Sequence, residues 1–574
     1  MPRSAIAVPA LAAFAVALLA ATTPAAADAP VRARHQMVVA AHPLAAAAGL
    51  DVLRAGGSAV DAAVAVQAVL TLVEPQSSGI GGGAFLLHYA GTDGRVTAWD
   101  GRETAPAAVG PDLFLDAAGR PLDFATAAAS GRAVGVPGVL RMLGAVHARH
   151  GRLPWAHLFR AAEALARDGF AVSPRLAAAL AGRGGARLRG RPDAEAIWFP
   201  AGDPVAAGDI VAIPALAETF ARVAADGPDA FHGGALAGAI AAAVAGTADP
   251  GALAASDLAA YRAVERAPLC RPYRAVVICG MGPPSSGGLA VAQTLALLEP
   301  HDLAALGPGS PDAWHLFAEA QKLAFADRDR WVADPDAVAV PTDGLVDPVY
   351  LKGRATLVSP IAVLPVPAPP GLPPGAGAPI PPGGVTGGSG GTTHFAIVDA
   401  AGNAVSMTSS VEAAFGSGIV AAGFLLNNQL TDFAFVPAAA DGRPVANRPG
   451  PGKRPRSTMA PTLVLDRAGR LLFALGAPGG PRIAGYVEKT LLGLLDWGLD
   501  VQAAIDLPHV INRNGRTEVE AGAAADTLAG ELRRRGHAVE VLAMESGLAA
   551  IAVLPDGSLA GGADRRREGV ALGD

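Results

Sequence analysis

One junction constrains this chain more than any other feature of its sequence. Residues 361–382 are dominated by Pro, Gly and Ala, and residues 383–391 are mostly Gly. Such a segment cannot bury enough apolar surface to order itself, so residues 361–391 are expected to form a linker. Residues 393–398 and 404–410 then read as two strands joined by a turn. The chain is therefore predicted to pass from a flexible linker directly into a β-hairpin at Thr392.

A threonine at this place has a specific chemical use. A threonine hydroxyl is a weak nucleophile without a base, but an N-terminal threonine carries its own base, an α-amine with a pKa of about 7.7–8.0 in model peptides. That amine would exist only after the Gly391–Thr392 bond is cut. The Thr392 hydroxyl could attack the Gly391 carbonyl, which a glycine without Cβ crowds least. The alternative is that Thr392 merely begins a strand, where Thr is common. On this junction alone, the alternative would be preferred.

Other parts of the chain supply the residue types that a site for a zwitterionic amino-acid group needs. A carboxylate is bound by Arg and hydroxyl donors, an ammonium by Asp and amide oxygens, and a tetrahedral intermediate by two N–H donors. The chain offers such groups in five places, which are Arg102, the strand end with Ser410 and Glu412, residues 427–433, residues 453–462, and the Gly479-Gly480 pair. Taken singly, Arg102 could belong to a structural ion pair, Asp432 to a turn and the glycine pair to a tight turn.

As an ordered set, these motifs resemble the gamma-glutamyltransferase family of N-terminal-nucleophile hydrolases. The resemblance runs from about residue 37 to the C-terminus. The matching stretches are residues 55–63 (AGGSAVDAA), 77–83 (SSGIGGG), 283–288 (PPSSGG), 392–395 (TTHF), 427–433 (NNQLTDF) and 478–480 (PGG). The fold that the resemblance implies is an α/β (α+β) four-layer αββα sandwich, formed by a proenzyme that is cleaved into two interwoven chains.

The resemblance also implies a role for each site residue. Thr392 is expected to be the nucleophile and, with Gly391, the self-cleavage site. Ser410 stands where the family usually has a second Thr that hydrogen-bonds the amine of the nucleophile. Gly479 and Gly480 are expected to form the oxyanion hole.

The remaining implied residues bind the donor substrate. Glu412, Gln429 and Asp432 are expected to bind its α-amino group. The carboxylate clamp is expected to be Arg102, Ser457 and Thr458, where Thr458 replaces the usual second Ser. Residues 435–452 take the place of the active-site lid but lack a recognisable aromatic gate, so no lid closure is predicted.

The implied activity is that of a gamma-glutamyltransferase and glutathione hydrolase. Thr392 would take the γ-glutamyl group of glutathione or a related compound as an acyl-enzyme. Water, or an amino acid or dipeptide acceptor, would then receive that group. The resemblance implies no metal and no organic cofactor.

The chain divides into three expected regions. Residues 1–27 combine Arg3, an uncharged, mostly apolar run and small residues before Asp28, which is typical of a secretory signal. Residues 28–391 would be the large subunit, including the linker at 361–391, and residues 392–574 the small catalytic subunit. We expect the two subunits to stay together as a heterodimer that is secreted or periplasmic and is not held in a membrane once the signal is removed.

Three alternatives remain open. The first is a related acylase of the same fold, acting on glutaryl-cephalosporins or poly-γ-glutamate. The second is a secreted peptide-binding protein that never matures, against which the intact Thr392, the Ser410 hydroxyl and the glycine pair argue. The third, a structural envelope protein, has no sequence feature in its favour.

Charge and histidine patterns exclude further classes of function. The net charge is -6, and no Lys/Arg run exceeds the triplet Arg565-Arg566-Arg567, expected at the surface, so no nucleic-acid partner is predicted. His147 and His150 share a helical face but have no third metal ligand in view, so surface histidines are expected. Residues 311–331 read as a long helix whose charged end, residues 327–330, is expected to form a solvated face or a local ion-pair ladder.

The two cysteines, Cys270 and Cys279, leave two possibilities open. Export would permit a disulfide between them, and the intervening residues could form a turn and a strand. Two separate thiols, at least one of them buried, are about as well supported. Neither possibility makes them catalytic.

Overall fold

The computed structural model describes residues 29–377, 390–523 and 525–574. The predicted signal, residues 1–27, and residues 378–389 of the predicted linker lie outside these ranges. Within them, no helix combines the length and apolar character needed to cross a bilayer.

The strands of the described residues, in chain order, are β1 Val31–Ala33, β2 Met37–Ala40, β3 Gly83–Tyr89, β4 Val96–Gly101, β5 Phe170–Ala171, β6 Ile210–Val211, β7 Val264–Arg266, β8 Leu269–Tyr273, β9 Val276–Gly280, β10 Gly390–Val398, β11 Ala404–Ala413, β12 Val420–Ala421, β13 Phe424–Leu425, β14 Thr462–Asp466, β15 Leu471–Gly476, β16 Val510–Asn512, β17 Thr517–Glu520, β18 Val539–Leu542, β19 Ala549–Val553, β20 Leu559–Ala563 and β21 Val570–Gly573.

The α-helices are α1 Pro43–Arg54, α2 Ala59–Val73, α3 Phe124–Ala128, α4 Val139–His150, α5 Arg160–Asp168, α6 Pro174–Ala181, α7 Arg183–Ala186, α8 Pro192–Trp198, α9 Pro214–Asp226, α10 Pro228–His232, α11 Gly234–Ala245, α12 Ala255–Ala260, α13 Gly287–Leu298, α14 Leu303–Leu306, α15 Pro311–Trp331, α16 Thr342–Leu345, α17 Pro348–Ala355, α18 Ile483–Leu495, α19 Val501–Asp506 and α20 Ala525–Arg534.

Two seven-stranded sheets form the centre of the molecule. One has the order β1-β20-β19-β15-β14-β9-β8, and the other has the order β21-β2-β10-β11-β3-β4-β7. Along β3, successive side chains alternate between two cores, since Leu86 packs with helices α1, α2 and α4 whereas Phe85 and Leu87 face the other sheet. Helices α13, α15 and α18 cover the far side of that other sheet. The predicted four-layer αββα sandwich is confirmed.

Both sheets mix strands from either side of Thr392. In the second sheet, β10 lies between β2 and β11, and in the first sheet β14 pairs with β9. A cut at Gly391–Thr392 would therefore leave two segments that share both sheets. The subunit boundaries themselves stay a prediction.

Local signals read from the sequence agree with the structure where they depend on neighbouring residues. Residues 58–61 (SAVD), which follow Gly56-Gly57, predict a helix start with a capping box, and Ser58 and Asp61 form that box at the start of α2. Helix α15 covers the expected residues, with Ser310 as its cap. The hairpin β10–β11 is present, and its first strand begins at Gly390, two residues before Thr392.

Of the two expectations for the charged end of α15, the solvated face is wrong, although Arg328 and Asp329 do form a local ion pair at 2.6 Å. Asp327 is 2% exposed and accepts hydrogen bonds from Tyr350, Arg354 and the Gly371 backbone N–H. Arg328 is 7% exposed and points toward the cleft described below. Both groups are buried because they have partners that are distant in the sequence. The sequence of α15 alone does not indicate those partners.

The predicted linker is also not featureless where the structure describes it. The Leu364 N–H donates to Glu319 Oε2 at 2.6 Å, and the Ala368 N–H donates to Asn514 Oδ1 at 2.6 Å. The expectation of an unordered segment is therefore wrong for residues 361–377, because the buried Glu319 carboxylate and the half-buried Asn514 amide satisfy two of its backbone donors.

Cys270 and Cys279 form a disulfide between the paired strands β8 and β9. We predict that replacing both cysteines by alanine lowers the free energy of unfolding by up to about 2–3 kcal/mol, because the bond closes a loop only nine residues long. Self-cleavage should persist, since β8 is the edge strand of its sheet. Urea denaturation of both forms, with intact mass as the control, checks this. An unchanged midpoint would contradict it.

Candidate active site

Thr392 lies at an irregularity in the hairpin that presents it. In the β10–β11 register, Gly391 pairs with Glu412 but Thr392 pairs with Ser410, so Val411 has no partner in β10. This is a β-bulge, a feature that redirects side chains near functional sites. Glu412 has φ of 79°, a left-handed conformation that costs a non-glycine residue energy. The bulge places Ser410 and Glu412 beside the scissile bond.

A chain of hydrogen bonds joins the nucleophile to the bond that it is expected to cut. The Ser410 hydroxyl donates to the Gly391 carbonyl oxygen at 2.7 Å. The Thr392 and Ser410 hydroxyl oxygens are 3.0 Å apart. The Ser410 hydroxyl has one proton, which it donates to the Gly391 carbonyl. The Thr392 hydroxyl must therefore be the donor in its bond with Ser410. The Glu412 N–H also donates to Ser410 Oγ, at 2.9 Å. The arrangement polarises the scissile carbonyl and gives the Thr392 proton an acceptor.

A second contact fixes the other side of Thr392. Arg567 Nη1 donates to the Thr392 carbonyl oxygen at 2.8 Å, and its Nη2 donates to the Glu545 carbonyl at 3.3 Å. Arg567 is 7% exposed, so the expectation that the 565–567 triplet lies wholly at the surface is wrong. Sequence reasoning missed this residue because a run of three arginines reads as a surface feature.

Glycines of the 77–83 motif allow the backbone to close around this site. A Cβ on Gly82 would lie 2.1 Å from the Ser410 carbonyl oxygen, and one on Gly81 would lie 2.1 Å from the Leu425 carbonyl oxygen. Asn427 Nδ2 donates to the Gly81 and Gly135 carbonyls, at 2.8 and 2.9 Å. The motif forms a turn before β3, and it holds the 427–432 loop next to β11.

The three residues expected to bind an ammonium lie together in one cleft. Glu412, Gln429 and Asp432 all line it. Gln429 Nε2 donates to Asp432 Oδ2 at 2.9 Å, and Asn428 Nδ2 donates to Glu412. Burial, followed by the nearby Asp432 carboxylate, raises the pKa of Glu412 to about 8. Glu412 is therefore largely a neutral acid at pH 7.

The three residues expected to bind a carboxylate line the same cleft. Arg102, however, is already engaged, since its Nη2 donates to Asp432 Oδ2 at 2.5 Å and its Nε donates to the Pro455 carbonyl at 3.1 Å. Ser457 Oγ accepts from the Met459 N–H at 3.1 Å. Thr458 Oγ1 accepts from Arg328 Nη2 at 2.9 Å. The structure therefore couples the expected carboxylate and ammonium ligands through the Arg102–Asp432 pair.

The 283–288 motif positions this clamp from the other segment of the chain. Ser286 Oγ donates to the Ser457 carbonyl at 2.6 Å, and Ser285 Oγ donates to the Met459 carbonyl at 2.6 Å. The Ser457 N–H donates to the Pro284 carbonyl at 3.0 Å. The loop that carries Ser457 and Thr458 is thus held by these three hydrogen bonds with residues 284–286.

The glycine pair adopts a conformation that side chains resist. Gly479 has φ of 135° and Gly480 has φ of 59°. A Cβ on Gly479 would lie 2.5 Å from the ring of Tyr486. Gly480 lines the cleft together with Pro481, whereas Gly479 stands just behind it. Of the ten expected catalytic and substrate-binding residues, only Gly479 is not part of the lining.

Two arginines that line the cleft were not expected there. Arg328 belongs to the charged run of α15, and Arg456 stands between Pro455 and Ser457. The sequence did contain a signal for Arg456, since this residue directly precedes Ser457 and Thr458 of the expected clamp. A cation at that place would attract a bound carboxylate.

One buried cluster of potential metal ligands lies elsewhere among the described residues. His315, Glu319 and His537 have ligand atoms within 4.8 Å of one another. His315 Nδ1 is 2.8 Å from His537 Nε2, and Lys322 Nζ donates to Glu319 Oε1 at 2.7 Å. An ammonium therefore occupies the cation position beside Glu319. His147, expected at the surface, is half-buried and pairs with Asp61 at 3.3 Å.

The comparisons with known proteins bear directly on this geometry. The family model described as Gamma-glutamyltranspeptidase matches residues 45–574. The chain belongs to the gamma-glutamyltranspeptidase family. The predicted family and enzyme class, a hydrolase and transferase, are confirmed.

The relatives of this chain carry two kinds of name. The Glutathione hydrolase proenzyme of Escherichia coli K12 is 37% identical, over 94% of this chain and 91% of that protein. The Acylase ACY 1 proenzyme of Pseudomonas sp. SE83 is also 37% identical, over 95% of this chain and 94% of that protein. Among solved structures, a cephalosporin acylase from Bacillus halodurans gives a TM-score of 0.84 at 28% identity, covering 97% of this chain and 98% of its own. The Helicobacter pylori gamma-glutamyltranspeptidase gives 0.54 at 34% identity, over 56% of this chain and 92% of its own.

The Ser410 contacts generate a prediction about cleavage of the precursor. Ser410→Ala removes the donor to the Gly391 carbonyl and the acceptor for the Thr392 proton, so the cleavage rate should fall by about a hundredfold or more. Ser410→Thr keeps the hydroxyl and should cleave at a rate near that of the unchanged chain. Intact mass followed over time measures both rates. Rapid cleavage of the alanine variant would show that Ser410 has no part in the reaction.

Proposed function

We propose that this protein cuts itself at Gly391–Thr392 and then acts as a gamma-glutamyltransferase and glutathione hydrolase with Thr392 as the nucleophile. The observation that carries the proposal is the hydrogen-bond chain from the Thr392 hydroxyl through Ser410 to the Gly391 carbonyl. It lies at the wall of a cleft lined by both acidic and basic side chains.

The first step is the self-cleavage. Thr392 Oγ1 bonds to the carbonyl carbon of Gly391 while the bond from that carbon to the Thr392 nitrogen breaks. The hydroxyl proton ends on that nitrogen, which becomes a free amine. Water then opens the ester, leaving a carboxylate on Gly391 and restoring the Thr392 hydroxyl. Ser410 would assist by donating to the carbonyl oxygen, on which negative charge develops.

The second reaction uses the amine that the first one creates. The α-amine accepts the Thr392 hydroxyl proton as Oγ1 attacks the acyl carbon of the donor amide. The carbon–nitrogen bond of the donor then breaks, and the leaving amine takes the proton. Water, or an amino acid or dipeptide acceptor, adds to the acyl-enzyme and releases Thr392. Backbone N–H groups at Gly479 and Gly480 would stabilise the tetrahedral intermediates.

The proposed donor is glutathione or another γ-glutamyl compound. Support comes from the glutathione hydrolase proenzymes among the relatives, at 34–37% identity in Escherichia coli and Bacillus subtilis. Asp432, Gln429 and Glu412 would bind the α-amino group of the donor, and Arg102, Ser457 and Thr458 its carboxylate. The related acylase activity is a second candidate, favoured by the relatives that are named acylases.

The subunits and their location belong to the same proposal. Residues 28–391 and 392–574 would remain a heterodimer after the cut, because both sheets contain strands of each. Residues 1–27 would direct export to the periplasm or the exterior.

Self-cleavage is tested by intact mass and N-terminal sequencing of the purified protein. We expect two chains, one of them beginning at Thr392, and we expect Thr392→Ala to stay whole because it lacks the attacking oxygen. Thr392→Ser is the matched control and should still cleave. A single chain in the unchanged protein under native conditions would refute the proposal in this form and favour the peptide-binding alternative.

The activity is tested on the cleaved protein with glutathione. We expect release of Cys-Gly together with glutamate, or transfer of the γ-glutamyl group to added glycylglycine. Thr392→Ala should show neither, because it has no nucleophile. If the cleaved protein leaves glutathione and γ-glutamyl anilides untouched but hydrolyses glutaryl amides, the acylase candidate replaces the first.

A further inference from the structure

We propose that Arg456 is a substrate-binding residue that takes the carboxylate of the acyl donor and thereby decides which donors the cleft accepts. This inference rests on the proposed function of the same cleft. It extends that function in two ways. Carboxylate recognition is placed on a residue outside the expected clamp. The donor class is named as acyl groups that end in a carboxylate, with or without an α-amino group.

Arg456 lines the cleft and has unused hydrogen-bond donors. Its side chain is 1% exposed. Among the described residues, its Nε and Nη2 have no hydrogen-bond partner, and Nη1 makes a single long contact of 3.4 Å with the Arg328 carbonyl. A buried guanidinium with free donors is costly unless an anion joins it. The same cleft holds Thr392, so such an anion would be part of a molecule that reaches the nucleophile.

The charged side chains that line the cleft do not balance one another. Arg102 is paired with Asp432 at 2.5 Å, and Arg328 is paired with Asp329 at 2.6 Å. Arg456 is 3.6 Å from the same Asp329 oxygen, which Arg328 already occupies more closely. Glu103 lies 3.8 Å from Arg102, and Glu412 lines the cleft, but burial raises the pKa of both acids to about 8, so neither of them balances Arg456 at neutral pH. One positive charge therefore remains without a partner of its own, and one carboxylate would neutralise it.

Hydrogen bonds to its backbone hold Arg456 in place. Its N–H donates to Asn447 Oδ1 at 3.0 Å, and its carbonyl accepts from Arg102 Nη2 at 3.0 Å. Asn447 Nδ2 in turn donates to the Asp432 carbonyl at 2.7 Å. Arg456 is thus fixed relative to the residues on either side of the cleft, and it directly precedes Ser457 and Thr458. A carboxylate bound there would lie beside the hydroxyls of the expected clamp.

A consequence follows for the amino group of the donor. Asp432 accepts from both Arg102 and Gln429 on one oxygen, so part of its charge is already used. A donor without an ammonium group loses only its interaction with the part of the Asp432 charge that Arg102 and Gln429 leave free. A donor without a carboxylate leaves Arg456 unpaired. The carboxylate should therefore contribute more to binding than the amino group.

Three acyl anilides of matched chain length test this on the self-cleaved enzyme. The γ-glutamyl p-nitroanilide has both groups, the glutaryl compound lacks the ammonium, and the 4-aminobutyryl compound lacks the carboxylate. We expect kcat/KM for the glutaryl donor to lie within about tenfold of the γ-glutamyl value. The 4-aminobutyryl value should be about a hundredfold lower, a loss typical of unmade hydrogen bonds to a charged group.

Variants of Arg456 separate binding from chemistry. Arg456→Met should raise KM for both carboxylate donors by about ten- to a hundredfold with little change in kcat, and it should leave the 4-aminobutyryl donor unaffected. Arg456→Lys keeps the charge and should restore part of the affinity. Arg448→Met is the matched control, since it removes an exposed arginine of a neighbouring loop that does not line the cleft. Appearance of both chains by intact mass shows that each variant has folded.

The outcomes distinguish this proposal from the one on which it rests. Unchanged KM values in Arg456→Met would overturn the role of Arg456 while the activity itself stands. A γ-glutamyl donor that is used while the glutaryl donor is refused would overturn the donor class, again with the proposed function intact. If the cleaved enzyme turns over none of the three donors, both proposals fail.

Discussion

The single proton of the Ser410 hydroxyl is the constraint on which the site depends. This proton is donated to the Gly391 carbonyl, so the Thr392 hydroxyl has to donate to Ser410. The direction of both hydrogen bonds is thereby set. The Glu412 N–H fills the remaining position on Ser410 Oγ. This pattern requires the bulge at Val411, since a regular ladder would place a different residue opposite Thr392.

The surrounding fold serves to keep that bulge in one geometry. Gly82 lets its backbone approach the Ser410 carbonyl more closely than any side chain would permit. Arg567, near the C-terminus, donates a hydrogen bond to the Thr392 carbonyl. Ser286, at the start of α13, donates to the Ser457 carbonyl in the loop of the expected clamp. Because the supporting contacts come from segments on both sides of the scissile bond, the site can survive the cut that activates it.

Prediction from the sequence succeeded where the determining contacts are local or recur as motifs. The capping box of α2, the extent of α15 and the hairpin after Gly391 depend on neighbouring residues. The site residues could be predicted because their motifs form an ordered set that resembles a known family. Charged residues with distant partners were misjudged, since Arg328 meets Thr458 across 130 residues and Arg567 meets Thr392 across 175. Burial of a charge depends on its partner, and the sequence does not reveal that partner.

The same dependence of a buried charge on its partners explains why Arg456 differs from three other buried cations among the described residues. Lys489 donates to three carbonyls, Lys322 is bound to Glu319, and Arg354 is bound to Asp327. In each case the fold supplies the acceptors that a buried charge needs. For Arg456 the described residues supply one long hydrogen bond and a 3.6 Å contact with Asp329, which Arg328 approaches more closely. Both contacts lie at the wall of the cleft that holds Thr392. Proteins tolerate such imbalances mainly at functional sites, where a ligand completes the set of partners. A carboxylate-bearing acyl group is the ligand that would complete it here.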